Sequence, residues 1–557
     1  MGFLVSPGVE INEIDLTNVI PAVSTSIGGI VGQFRWGHVN EIVTIGSEKE
    51  LAAEFQKPTT SIYEQYFTAK GFLEYANNLK VYRVVGSDAG NASSAGSGGD
   101  TSDASPTSTA NLIRIFNEDS YDEQKSTLIG GDSPSAYGEF FARYPGALGN
   151  ALKVHIIDSS MTSSDSPSDS VEFSTEFDTI PGTNEIHIVI EDDTGAISGT
   201  AGTVLEKYSF LSITAGNKKE DGTNNYYHDV LNERSEWVWC GEELRATTAT
   251  VFTLAGGADG TAPTAGEITA GYQDAFGDSE TVEVNLLIGG GHTSANANSI
   301  IDIASSRKDC VAFVSPEVSK TANITSSATK LSNIKSFADS ISSSSYGVID
   351  STSLYVYDKY NDVFVYIPAS GHLAGLCANT DDVAETWFSP AGFNRGGLRG
   401  VAKIAFNPTQ TERDELYKRR VNPIVSFPGQ GIVLFGDKTT QTKPSAFDRI
   451  NVRRLFITLE KAVATASKFQ LFELNDEFTR AQFRNLVEPF LRDVKGRRGI
   501  TDFLVVCDET NNTGQVIDSN RFVADIFIKP ARSINFITLN FIATRTGVEF
   551  SEIVGSN

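Results

Sequence analysis

The stretch GQGIVLFGDKTT (429–440) carries glycines followed by a lysine and a threonine, the residue types of a phosphate-binding loop. The spacing fails. Gly431 and Gly436 have four residues between them, but Asp437 stands before Lys438 and Thr439, where a carboxylate repels the phosphates that the loop amides must cradle. LLIGGGH (286–292) ends a strand pattern before a helix pattern, and its amides could meet an anion, although a plain strand-to-helix turn is the commoner outcome. The six histidines, His38, His155, His187, His228, His292 and His372, show no metal-ligand spacing. The acidic stretches EDDTG (191–195) and DETNNTG (508–514) lack the calcium-loop pattern and read as hairpin turns. A Ser/His/Asp triad can assemble from remote positions, but no GxSxG elbow is present, so a hydrolase is a remote alternative. Cys240, Cys310, Cys377 and Cys507 lie far apart in apolar runs and read as buried thiols of a reducing cytoplasm, with no disulfide or zinc framework. No catalytic residue, cofactor site or metal site is expected, and the chain is not expected to be an enzyme.

A different chemistry is written into the stretch after Asn475. Arg480, Arg484, Arg492 and Lys495 recur at three- and four-residue steps broken by Glu488, and Arg497 and Arg498 extend the stripe. Such a row could bind an acidic protein surface reversibly and with salt sensitivity. The plainer alternative is a solvated helix face with internal pairs such as Arg484 with Glu488. The net charge of −25 argues against nucleic-acid binding, yet residues 411–500 hold 17 Lys and Arg against 11 Asp and Glu, a local balance of +6. A basic segment on an acidic chain suggests one acidic partner or a neighbouring subunit.

These residues need elements to hold them. At 557 residues several domains are expected, and the fold class reads as α/β and α+β multidomain. Phe483, Leu486, Val487, Phe490, Leu491 and Val494 mark one buried helical face, with Asn475 a predicted N-cap, Gly496 a predicted stop and Pro489 expected to kink the helix or start a second one. Upstream, FDRINVRRLF reads as a strand entering a helix at Ile450 to Ala466. Downstream, FLVVCD, FVADIFIKP and SINFITLNFIATRTG read as three strands, giving a small α+β domain over 447–547. Residues 21–86 read strand, helix, helix, strand, with a capping box at SEKE (47–50), and join 204–348 as a parallel α/β domain ending in YVYD. Residues 87–203 read as an all-β insertion behind a Gly/Ser-rich linker (87–110), and 349–446 as a second core segment. No run reaches the roughly 20 apolar residues of a membrane span, so membrane insertion is not expected, nor is conventional secretion.

The two ends are unlike the rest. VEINEI, bracketed by Pro7 and Pro21, and VEFSEI (548–553) alternate like strands without a local partner. An extended arm of residues 1–20 could reach roughly 65 Å. With the C-terminal arm, 548–557, it has the character needed for strand addition between copies, although pairing of both arms within one chain stays open.

RRLF, EPFLRDV, RRGITDFLVVCDETNNT, IKPARSINFITLNFIATRTGVEF and SPGVEINEID together resemble the tail sheath proteins of contractile, T4-like (myovirus) bacteriophages. LAGGADG, IPASGHLAGLCA, WFSPAGFNRGGL and RRVNPIVSFPGQGIVLFGDKT extend the resemblance to nearly everything except the insertion. The resemblance implies a subtilisin-like central domain without hydrolase activity and a homo-oligomer of stacked six-fold rings around a tail tube. It further implies contraction that drives the tube through the host envelope. It makes Val9, Ile11, Ile14, Val548 and Phe550 inter-subunit arm residues and suits the basic stripe to the tube. The implied partners are the chain itself, the tail tube protein and the baseplate and tail terminator proteins. The implied location is the virion, after synthesis in the host cytoplasm. The sheath of a contractile secretion or toxin-delivery system is the alternative.

Overall fold

The computed structural model describes residues 24–94, 113–129, 138–159, 177–241, 250–535 and 537–539. The chain forms two compact units, one up to Phe472 and one from Glu473.

The first unit is built on β1 (Gly28–Gly32), whose GGIVG is buried at every position. Such a strand belongs inside a parallel sheet covered on both faces. It lies between β10 (Leu286–Ile288) and β3 (Leu79–Arg83), parallel to both. β11 (Val311–Val314), β12 (Gly347–Asp350) and β16 (Val421–Asn422) continue the parallel order on one side, and β2 (Ile42–Ile45) closes the other edge antiparallel to β3. Gly28 and Gly29 show why β1 lacks side chains at its start. A Cβ at Gly28 would lie 2.7 Å from the Phe72 ring and one at Gly29 2.8 Å from Phe276, on opposite faces. Helices α1 (Glu48–Glu54) and α2 (Glu64–Leu73) bring Leu51, Phe67 and Phe72 into a core with Ile30, Leu286 and Phe313. Tyr272 and Phe276 of α5 (Ala265–Phe276), Ile300 and Ile301 of α6 (Ser294–Arg307) and Ile334 of α7 (Ser327–Ser340) pack with Val31, Leu287 and Val314. α8 (Ser370–Val383) adds Leu373 and Leu376 to the first of these cores.

Start signals match where side chains can reach amides. Thr264 with Glu267 forms a capping box on α5, and Thr409 with Glu412 another on α9 (Gln410–Lys418). At SEKE, Ser47 accepts from the Glu50 amide, but the Glu50 carboxylate accepts from Gly46 N at 2.7 Å rather than from Ser47, so only half the predicted box forms.

Other expectations are corrected. Between 24 and 86 there are three strands rather than two, because IVTI turns back as β2. YVYD is β13 (Leu354–Asp358) and lies outside the parallel sheet, between β14 (Val363–Ile367) and β15 (Val401–Ile404), all antiparallel. The following β17 (Ile424–Phe427) and β18 (Gly431–Leu434) form a hairpin. FDRINVRRLF has no strand; Ser445 caps a 3-10 turn at Ala446–Asp448 that leads directly into α10 (Ile450–Ser467).

The insertion is not all β. Its sheet runs β7 (Thr203–Ser212), β6 (Glu185–Asp192), β5 (Leu152–Ile157), β9 (Thr250–Thr253), so its strands continue past residue 203. β4 (Phe140–Ala142) pairs with β8 (Val238–Cys240). Two helices join them, α3 (Glu118–Ile129), with Ser120 N donating to the Asn117 side chain, and α4 (Tyr227–Arg234). Tyr121 of α3 stacks on buried Trp239 at 4.4 Å, with the Arg143 guanidinium 3.3 Å from the same ring. A helix of mostly polar residues is anchored there by Tyr121, whose hydroxyl also donates to Cys240 O at 2.7 Å, contacts that periodicity does not register. Of the predicted linker, residues 87–94 are built in. Asn91 is buried, its side chain donating to the carbonyls of Ile115 and Ala142 and accepting from Ile115 N at 2.9–3.0 Å; residues 95–110 lie outside the described ones.

In the second unit, α11 (Glu477–Gly496) covers β19 (Ile500–Val506), which pairs antiparallel with β20 (Asp525–Pro530); α12 (Gly514–Asp518) lies between the strands in sequence. Phe483, Val487, Leu491 and Val494 are buried, with Leu486 and Phe490 partly so. Asp476, not Asn475, is the N-cap, accepting from Thr479 N at 2.8 Å. Asn475 instead donates to Asn512 and Arg521 O. The helix runs through Pro489 as one element, and Pro489 and Asn485 are both exposed, so the carbonyl that the proline leaves without an amide partner stands on the solvent side. Of the third predicted strand, residues 533–535 and 537–539 are in no strand, and the rest lies outside the described residues.

Candidate assembly surfaces

The basic stripe divides into two kinds of residue. Arg480 is buried, and its guanidinium donates to the Asn475 side chain at 3.0 Å. Arg484 donates to the Cys507 carbonyl. Both therefore hold the second unit together, because the helix turns them onto its own loop and sheet. Arg492 lies 3.5 Å from Glu488, Lys495 3.1 Å from Asp502 and Arg497 3.1 Å from Asp493, all largely exposed. Lys495 holds the Asp502 carboxyl below its usual range, by hydrogen bond first and charge second. Arg498 is exposed beyond the helix end, in the left-handed backbone region at φ 68°. The pairing expected between Arg484 and Glu488 is made by Arg492 instead.

A feature that pattern reading passed over lies on the adjacent sheet. Leu504 and Phe527 are register partners, 58% and 59% exposed. Among the described residues, β19 and β20 pair only with each other, so the sheet keeps unpaired edges and an apolar cross-strand pair in the open. The alternation in FLVV and DIFI was the signal, but it names two faces without saying which one is covered. The arm residues Val9, Ile11, Ile14, Val548 and Phe550 lie outside the described residues.

The stretches that suggested chemistry are tied into the fold. GQGIVLFGDKTT is the β17–β18 turn and strand, with Gly429 and Gly431 at φ 75° and 79° as the turn requires. Asp437 is buried, accepting from Ser389 at 3.0 Å with Arg449 at 3.4 Å, so the position before Lys438 is a structural carboxylate. Burial lowers His292 and His372 to about 4, which leaves them neutral at pH 7. Ser315 donates to the buried Asp350, and Ser370 N donates to Ser315, but neither ring nitrogen of His372 has a hydrogen-bond partner, so no Ser/His/Asp relay is assembled there. Asp192 accepts from Ile197 N and Ser198 N, and Asp508 from Thr510 N, which makes both acidic stretches turns. Among the described residues no group of His, Cys, Asp or Glu could hold a metal ion, and no helix is long and apolar enough to cross a membrane. All four cysteines are buried and free.

The match to known proteins covers the whole chain. Residues 265–440 match the family model of the phage tail sheath protein central domain, and residues 442–544 that of the phage tail sheath C-terminal domain. The tail sheath protein of Vibrio phage KVP40 is 32% identical over 99% of this chain and 100% of its own length. That of Enterobacteria phage T4 is 33% identical, over 99% of both chains. Two crystal structures of sheath tail proteins share the fold, one from Desulfitobacterium hafniense and one from Listeria innocua. They have TM-scores of 0.53 and 0.52 at 14% and 11% identity, cover 90% and 92% of this chain and are themselves covered over 94% and 96%. With identity at this level from end to end, and with both sheath family models matched in order, the chain belongs to the phage tail sheath protein family and is a structural subunit of a contractile tail sheath.

Proposed function

We propose that this subunit works mechanically and not enzymatically, stacking with copies of itself as six-fold rings around a tail tube. The extended array is a metastable packing that rearranges to a shorter, wider one and drives the tube through the host envelope, with no fuel beyond the difference between two packings. The seven-stranded sheet with its covering helices plays the part of the subtilisin-like rigid body. The arms, 1–20 and 548–557, add strands to neighbouring copies and keep them joined while the bodies rotate. Arg492, Lys495, Arg497 and Arg498 offer the tube a rim of exposed charge suited to reversible contact. Baseplate and terminator proteins cap the two ends of the stack.

The observation that supports this reading is the open β19–β20 sheet. A two-stranded sheet is marginal in water, and this one leaves Leu504 and Phe527 exposed, so a third strand from another copy would complete it. Negative-stain electron microscopy of the purified full chain beside a truncation lacking residues 1–20 tests it. Hollow tubes from the full chain and dispersed particles from the truncation are expected. Equal tubes from both would remove the N-terminal arm from the mechanism.

A further inference from the structure

The first unit carries a cleft of about 510 Å³ whose walls are unusually cationic for so acidic a chain. Lys418 ends α9, Arg419 and Arg420 are the two residues after it, and Lys438 and Lys443 come from the stretch following β18, against Asp339 and Asp448. Both carboxylates are already engaged. Asp339 pairs with Arg419 at 3.1 Å and Asp448 lies 3.8 Å from Arg449. Arg420 spends its guanidinium on carbonyls, 2.9 Å to Thr440 O and 3.2 Å to Arg419 O. Lys438 donates to Tyr417 O at 2.8 Å and sits over the Tyr417 ring. Lys418 and Lys443 are exposed, and neither they nor Arg420 and Lys438 have a carboxylate within 4 Å among the described residues.

A helix C-terminus favours one such cation. It explains Lys418, but not Arg420, which holds the left-handed backbone at φ 67°, nor Lys438 and Lys443, which arrive from another part of the chain. Gathering four cations raises their mutual repulsion, and although Asp339 partly offsets this at Arg420, and Asp448 and Asp437 at Lys438, partial burial lowers both from their ordinary values. An incoming carboxylate relieves both penalties.

We infer that this cleft docks an acidic segment of a second copy of the chain. Charge complementarity selects the partner. The chain carries −25 overall, and its acidic excess lies outside residues 411–500, so each copy presents to its neighbours the charge this cleft lacks. Exposed carboxylates such as Glu118, Asp119, Asp122 and Glu123 at the start of α3 are of the required kind. The inference rests on the reading that copies assemble, and adds to the strand-exchanging arms a separate electrostatic latch. A latch of ions suits a structure that must hold and then let go, because its strength is tuned by small separations and by salt.

The test uses the full chain. A 1:1 mixture of ¹⁴N- and ¹⁵N-labelled protein is assembled at low salt and treated with a carbodiimide, which joins lysine amines to carboxylates in contact, and the linked peptides are read by mass spectrometry. Mixed-isotope links from Lys418 or Lys443 to an Asp or Glu peptide are expected. The double variant Lys418→Glu with Lys443→Glu, both exposed and unpaired, is expected to raise the concentration needed for assembly about tenfold or more, with an unchanged circular dichroism spectrum. Assembly of wild type and variant at equal concentration, with no mixed-isotope link from either lysine, would overturn the latch while leaving the sheath reading intact. Binding of inorganic triphosphate to the cleft of assembled protein, without displacement of a neighbour, would overturn it equally. A wild type that stays monomeric at every salt and concentration would remove the assembly reading and the occupant with it.

Discussion

Arg454 and Asp381 form a buried ion pair at 2.6 Å that ties α10 to α8, and the same Asp381 oxygen accepts from Thr25 at 2.8 Å. Arg454 also donates to the carbonyls of Cys377 and Thr25. One guanidinium thus joins the chain just before β1, the helix after β14 and the last helix of the first unit. A buried ion pair is costly to break from one side, because the partner left behind is an uncompensated buried charge. Arg454→Ala or Asp381→Ala is expected to destabilise the first unit by about 3–5 kcal/mol, whereas Arg454→Met with Asp381→Leu together should come much closer to wild type. Urea midpoints followed by near-ultraviolet circular dichroism decide it; single and double variants of equal stability would show that the pair itself is irrelevant.

Asp350 is fully buried at the end of β12, and burial raises its carboxyl from the ordinary 3.8 to about 7, against the opposing hydrogen bonds from Ser315 and Thr352. The folded state therefore keeps a proton that the unfolded state has lost between those values. Its contribution to stability is fully present below about pH 4 and is lost as pH rises towards 7, by about 4 kcal/mol in all at 1.36 kcal/mol per unit. Asp350→Asn keeps the shape and can still accept from Thr352 N, so it should flatten this part of the profile and be more stable than wild type at pH 8. Urea titrations of both proteins at pH 5 and pH 8 give the difference directly. Parallel pH dependences would mean Asp350 is ionised or neutral in both states alike.

How much of this was readable beforehand differs by element. β1, β3, β10 and β11 were legible because strands buried on both faces are nearly continuous apolar runs, and α11 was legible because its apolar stripe repeats cleanly. α3 was not, since its hold on the molecule is Tyr121 against Trp239, residues far apart in sequence. YVYD looked parallel because strand and helix patterns alternate around it, and only its turn back through β14 makes it antiparallel. The basic stripe was found as a pattern, but a helical row of arginines does not say which of them bend inward. Arg480 and Arg484 do, because the loop at Asn475 and the carbonyl of Cys507 need donors.

That division changes which substitutions can report on the tube. Arg480→Glu and Arg484→Glu place a carboxylate where a buried or carbonyl-bound guanidinium stands, and should destabilise the second unit by a few kcal/mol. Arg492→Glu and Arg498→Glu, both exposed, should change stability by only about 0.5 kcal/mol. Co-sedimentation of the Arg492→Glu/Arg498→Glu protein with tail tubes in low and high salt then measures the surface contact alone. Binding equal to wild type at low salt would remove the stripe from the tube contact.

Glycines of α8 let its backbone lie close against α2. A Cβ at Gly371 would run into the backbone carbonyl of Thr68, and one at Gly375 would lie 2.5 Å from the Tyr75 ring. A flexible side chain could yield, but a helix carbonyl cannot without moving the helix, and with it the face of the sheet that Phe67 and Phe72 cover. Gly371→Ala is therefore expected to cost about 1–3 kcal/mol or more by overpacking. Gly397→Ala is the control, since nothing lies within 4 Å of its Cβ position, and it should be close to neutral. Thermal midpoints of the two variants separate steric exclusion from a general loss of glycine freedom. Equal midpoints would mean that the helices can part at Gly371 and that their close approach is incidental to stability.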